Sequence, residues 1–115
     1  MSIIKILQII GAVATIGTGL LAAINPKGIE GFTGLTAPGA RGITEFRSVF
    51  GGAFMGLGLA VLLIGTRDAF RTLGAMYIAI AVVRAVSMIY DKSAGVQSNV
   101  ISLVIEVVFG VIMVL

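Results

Sequence analysis

Four long apolar stretches, separated by three polar breaks, constrain this chain more than any other feature. They cover about residues 3–24, 43–64, 69–90 and 98–115. A bilayer core takes about 20 helical residues, within a range of about 17–25. Backbone polar groups find no water there, so each stretch is predicted to be a helix. The chain has 115 residues, of which 58% are hydrophobic and 11% charged. Soluble domains average about 25% charged residues. A soluble domain of this size leaves much of its chain exposed and could not hide this much apolar surface. A soluble enzyme is thereby excluded, and so is a disordered chain. The expected fold is all-α: one integral membrane domain over residues 1–115, an antiparallel four-helix bundle with the lipid bilayer as its solvent.

The first stretch also needs testing as a signal peptide. Its apolar run exceeds the 7–15 residues of a typical signal core, and Asn25-Pro26 follows in place of a small-x-small cleavage site. It is read as a retained helix. The break at 25–42 holds both prolines and five glycines, NPKGIEGFTGLTAPGARG. A loop this long often serves as a lid or binding loop. The break near Gly65–Asp68 is a tight turn, which makes the second and third helices neighbours. In the last break, Ser98 and Asn99 are candidate N-caps for the fourth helix.

Absences narrow the chemistry. The chain has no Cys and no His. Thiolate and imidazole ligation are therefore excluded. The five acids are too scattered for a carboxylate metal cage, and the five Met read as packing. No metal and no cofactor is expected. The net charge is +3, but the basic residues are spread through the loops, so nucleic acid is not an expected partner.

Small residues gather in the second helix, including Gly51, Gly52 and Gly56. Gly52 and Gly56 have the G-x-x-x-G spacing of close helix packing. The expected use is packing inside one bundle; a dimerisation seam is the other use.

The charges inside the spans stand out. Let side A be the face with the N-terminus and side B the face reached by the first helix. Arg84 lies seven residues before Asp91, roughly 10 Å inward from side B at the helical rise. Glu106 lies six residues beyond Val100, roughly 9 Å inward from the same side. Glu45 and Arg47 lie shallower on that side. Intramembrane charges are costly and are usually paired or functional. The planar fork of Arg84 can engage two carboxylates. The expected cluster is Arg84 between Glu45 and Glu106, with Arg47 completing it or reaching the headgroups. Ser48 and Ser87 are candidate pocket-lining residues. The cluster reads either as a structural clamp or as a pocket open toward side B.

The segment from Gly34 to the C-terminus resembles a widespread bacterial family of small four-helix membrane proteins of unknown function. Gly31 and Gly34, Pro38, and the E-x-R-x-x-x-G-G element of Glu45, Arg47, Gly51 and Gly52 carry the resemblance. Arg84 and Glu106 match the family's Arg in helix three and Glu in helix four. More distantly, the layout is similar to DoxX-like four-helix proteins. The resemblance supplies no substrate, but it implies that the charged residues belong together and that the protein sits in a bacterial inner membrane. Small multidrug transporters share the size, yet this first helix lacks their essential acid. The signature polar residues of fluoride channels are also missing.

Two functions follow as expectations. The leading one is a structural or accessory protein that packs with a membrane-protein partner or forms a homo-oligomer. The alternative is a binding or transport protein whose charged pocket takes a small amphipathic or lipid-like ligand. An enzyme is the weakest reading, because it would need Glu45 or Glu106 as a tuned acid or base. Side A carries Lys5, Arg67 and Arg71, and side B carries Lys27, Arg41, Arg47 and Lys92. The compact turn with Arg67 and Arg71 favours cytoplasmic termini.

Overall fold

The computed structural model describes residues 1–115 and contains helices but no strand. Helix α1 spans Ile3–Ile24 and is capped by the Ser2 hydroxyl, which accepts from Lys5 N. A 3-10 turn, Pro26–Ile29, leads into the short helix α2, Glu30–Thr33. Helix α3 runs Ala40–Ile64 and contains a π segment at Phe46–Gly51. Helix α4 spans Arg67–Tyr90 and α5 spans Gln97–Val114. The helices α1, α3, α4 and α5 are long and apolar enough to cross a membrane.

Local chemistry sets the boundaries. Gly65 ends α3 in the left-handed region at φ 69°, which a glycine reaches without steric penalty. Thr66 then caps α4 by accepting from Ala69 N. The long connection is not irregular throughout. Its Asn25 side chain accepts from Gly28 N, which starts the 3-10 turn, and α3 begins at Ala40, earlier than the hydropathy run. Ser98 and Asn99 lie inside α5; the N-cap position is held by Val96, with no side-chain cap bond.

The long helices associate in two pairs, α1 with α3 and α4 with α5, and the contacts between pairs are sparser. Glycines set both close approaches. A Cβ at Gly19 would lie 2.6 Å from both Gly51 O and Met55 N. At Gly58 it would lie 2.9 Å from Ala12 O. In the other pair, a Cβ at Gly74 would lie 3.0 Å from Gly110 O. Of the glycines singled out in the second helix, Gly51 faces α1. Gly52 and Gly56 meet nothing within 4 Å, and both are exposed. Their expected use inside the bundle is thus corrected. The helix turns them outward, because Gly51 and Gly58 occupy the face toward α1. Gly52→Ala and Gly56→Ala should therefore be neutral or stabilise by roughly 0.5–1 kcal/mol each, as added methyls in a helix without a clash. Thermal melts in detergent would check this, and a marked loss would place that face against a neighbour.

The core joins the two pairs near side A. It contains Ala12, Val61, Phe70, Leu73, Tyr77 and Met113. The Tyr77 hydroxyl lies 2.5 Å from Thr15 Oγ1, and Thr15 donates to Gly11 O at 2.8 Å. Tyr77 therefore donates to Thr15 and links α4 to α1. Its ring meets Phe109 edge-on at 5.6 Å. Gln8 donates to Ile112 O at 3.0 Å and so ties α1 to the end of α5. Tyr77→Phe keeps the ring and the Thr15–Gly11 bond. It should cost about 1 kcal/mol, read as a modest drop in melting temperature.

Outside this core the surface is apolar. Only 21 of the 115 residues are buried, while Leu63 and Ile89 are 77% and 79% exposed. An exterior of this kind suits lipid better than water.

Candidate functional site

The polar site is built from α4 and α5. In an antiparallel hairpin of two helices, residues equally far from the connecting loop face each other in depth. Arg84 lies six residues before the end of α4 and Glu106 nine residues after the start of α5, close enough in depth for their long side chains to meet, and the close contact at Gly74–Gly110 holds the two helices together farther toward side A. Arg84 Nε donates to Glu106 Oε1 at 2.7 Å and to Oε2 at 3.1 Å. Arg84 Nη2 donates to Glu106 Oε2 at 2.7 Å. This is a forked ion pair, the strongest geometry that these two groups have. The Glu106 side chain is 9% exposed and that of Arg84 is 30% exposed.

Asn99 completes the arrangement. It accepts from Arg84 Nη1 at 3.2 Å and donates to Ser93 O at 3.4 Å. Arg84 thereby braces the loop between α4 and α5. As a sequence feature Asn99 suggests only a cap. Its place at the site was legible in its spacing: it lies seven residues before Glu106, two helical turns on the same face. Asp91 stands in the same relation to Arg84, seven residues beyond it.

Arg84 also lines a groove of about 510 Å³ at the side B end. Its polar lining is Arg84, Ser87, Asp91, Ser93 and Asn99, and its apolar lining includes Ile80, Val83 and Met88. Arg has five N–H donors. Glu106 and Asn99 engage Nε and one hydrogen on each terminal nitrogen, which leaves one N–H on each of the two terminal nitrogens. On the other side of the same helix pair lies a wholly apolar groove of about 440 Å³, lined by residues such as Val82, Leu103 and Val107.

The rest of the expected cluster is elsewhere. Glu45 pairs with Arg41, one helical turn before it, and that pair is exposed. Arg47 donates to Ala23 O at 2.5 Å, in the last turn of α1. Ser48 donates to Thr44 O within its own helix. The physical reason is the pairing of helices. α3 packs on α1, so Glu45, Arg47 and Ser48 sit on the helix pair that lacks Arg84. A local partner four residues away also satisfies Glu45 without burying it. The long connection contributes no residue to the groove lining. Ser87 is the pocket candidate that lines the groove.

No group of three or more Asp or Glu side chains stands close enough to hold a metal ion. The arrangement can hold an acceptor atom at the free Arg84 donors and an apolar tail along the helices. No curated protein matches the chain, and no solved structure does. A family model described as a domain of unknown function, DUF4345, matches residues 3–115. With its whole helical array inside that match, this chain belongs to the DUF4345 family.

Proposed function

We propose that the protein is an antiparallel four-helix bundle embedded in a bacterial inner membrane, and that its side B groove binds a small neutral amphiphile. One observation carries the ligand reading. Arg84 is paired to Glu106 yet remains 30% exposed, with unused donors on the wall of an open groove. A purely structural clamp has no need of that groove. The charge balance selects the head group. Glu106 neutralises Arg84, and Asp91 adds a negative charge at the rim. An anionic head would meet Asp91 unfavourably, whereas a carbonyl or hydroxyl head accepts from Arg84 without that repulsion. The distant likeness to DoxX-like proteins belongs to the same reading and rests on layout alone.

The test uses a photoactivatable diacylglycerol, which is neutral and carries both carbonyl and hydroxyl oxygens. Labelling should map to the α4–α5 segments around Arg84, Ser87 and Asn99. Ser87→Trp fills the groove without touching the ion pair and should cut labelling at least roughly tenfold, equivalent to about 1.4 kcal/mol. Labelling spread evenly over the lipid-facing helices, or unchanged by Ser87→Trp, would refute the pocket.

The exposed Gly52–Gly56 face favours a second reading, in which the protein packs against a copy of itself or a membrane-protein partner. The chain has no native cysteine, so a single Gly56→Cys variant reports on this directly. Disulfide-linked dimers formed in the membrane would support self-association. A monomer only would count against it.

A further inference from the structure

Side A carries a different kind of site. Three basic side chains from two helices converge there on the ends of α3 and α5. Lys5 Nζ donates to Gly65 O at 3.1 Å and sits 4.1 Å from the centre of the Phe70 ring. Arg67 Nη2 donates to Leu115 O at 2.8 Å. Arg71 Nε donates to Val114 O at 3.3 Å. The partners of Lys5 and Arg71 are two backbone carbonyls and a ring, which are neutral. They fix these two cations in place without cancelling their charge, and Leu115 O holds Arg67 beside them. The single acid nearby, Asp68, lies 4.0 Å from Arg71 and its side chain is 93% exposed.

The side chains of the collar sum to a formal charge of +2, from Lys5, Arg67 and Arg71 against Asp68. Each arginine keeps donors free toward the surroundings. The opposite end balances its basic residues better: outside the Arg84–Glu106 pair it has four bases and three acids. The collar also stands at the ends of the spans, where a bilayer places its head groups. Basic pockets between transmembrane helices at that depth suit lipid phosphates.

We infer that the side A collar is a docking site for the phosphate of an anionic phospholipid, built on Lys5, Arg67 and Arg71. The cations are held by packing and hydrogen bonds before the lipid arrives, so little rotamer freedom is lost on binding. The inference rests on the membrane-spanning reading above. It also places side A against the anionic cytoplasmic leaflet.

The experiment reconstitutes the full chain in bilayers containing equal amounts of phosphatidylglycerol and phosphatidylcholine. Native mass spectrometry then counts the lipids that stay bound after extraction. The wild type should retain phosphatidylglycerol over phosphatidylcholine by roughly tenfold or more, and less so as salt is raised. Arg67→Gln with Arg71→Gln should bring the preference close to unity. Arg67→Lys with Arg71→Lys changes the carbonyl contacts but keeps the charge, and should keep most of the preference. Lys27→Gln with Arg41→Gln, on side B, should leave it unchanged. Equal retention of the two lipids by the wild type would overturn the inference. So would a preference that survives the glutamine pair, or one that only the side B variant removes. If the glutamine pair does not fold, the wild-type salt series decides, and a preference that persists at high salt overturns the site. Failure of the protein to enter bilayers at all would instead overturn the membrane-spanning reading.

Discussion

Arg84→Leu should be among the most damaging single substitutions in this protein. It leaves the Glu106 carboxylate buried between α4 and α5 with its nearest cation gone. Breaking a buried ion pair from one side costs about 3–5 kcal/mol. The partial exposure of Arg84 moves the expectation toward the lower end of that range. Thermal melts in detergent should show a large fall in melting temperature for Arg84→Leu. The double variant Arg84→Leu with Glu106→Leu should recover most of the loss, because replacing both charges by apolar groups is often neutral. Glu45→Gln removes only an exposed partner of Arg41 and should have little effect. A stable Arg84→Leu variant would mean that water reaches Glu106. A damaging Glu45→Gln would mean that α3 sits nearer to α4 than its packing on α1 allows.

The second large effect is steric. Gly19→Ala places a methyl 2.6 Å from Gly51 O and Met55 N, both backbone atoms. Backbone cannot rotate away as a side chain can, so α1 and α3 must separate. Overpacking of this kind costs roughly 1–3 kcal/mol, and more where a whole helix contact shifts. The same change at Gly17 meets nothing within 4 Å and serves as the internal control. A melt series comparing Gly17→Ala with Gly19→Ala should separate the two clearly. Equal stability would show that the α1–α3 crossing is looser than its glycines indicate.

These two predictions concern features of different legibility. The four spans were readable from hydropathy, because a bilayer-length apolar helix is a property of consecutive residues. The Arg84–Glu106 pair was readable from counting, because the helical rise converts distance along the chain into depth. Gly65 and Thr66 announced the turn between α3 and α4 through their backbone and capping chemistry. The Glu45 partner was not readable in that way. Glu45 stands on the same side of the protein as Arg84, but depth is a single coordinate and says nothing of direction around the helix axis.

The tertiary structure decided that second coordinate. α3 packs on α1 because Gly19, Gly51 and Gly58 let those backbones approach, and α4 packs on α5 through Gly74 and Gly110. This pairing sends Glu45 and Arg47 away from Arg84. The π segment at Phe46–Gly51 adds to the effect. It widens one turn, so a register carried at 3.6 residues per turn from Glu45 to Gly56 is rotated out of place. Gly52 and Gly56 face outward despite a spacing that suits a tight crossing, because Gly51 and Gly58 hold the face toward α1. The sequence by itself determined that there are four long apolar helices, where each lies to within a few residues and about how deep Arg84 and Glu106 lie, since these follow from local composition and rise. Which faces meet was left to the packing of the two pairs, since it depends on backbone contacts between residues far apart in the chain.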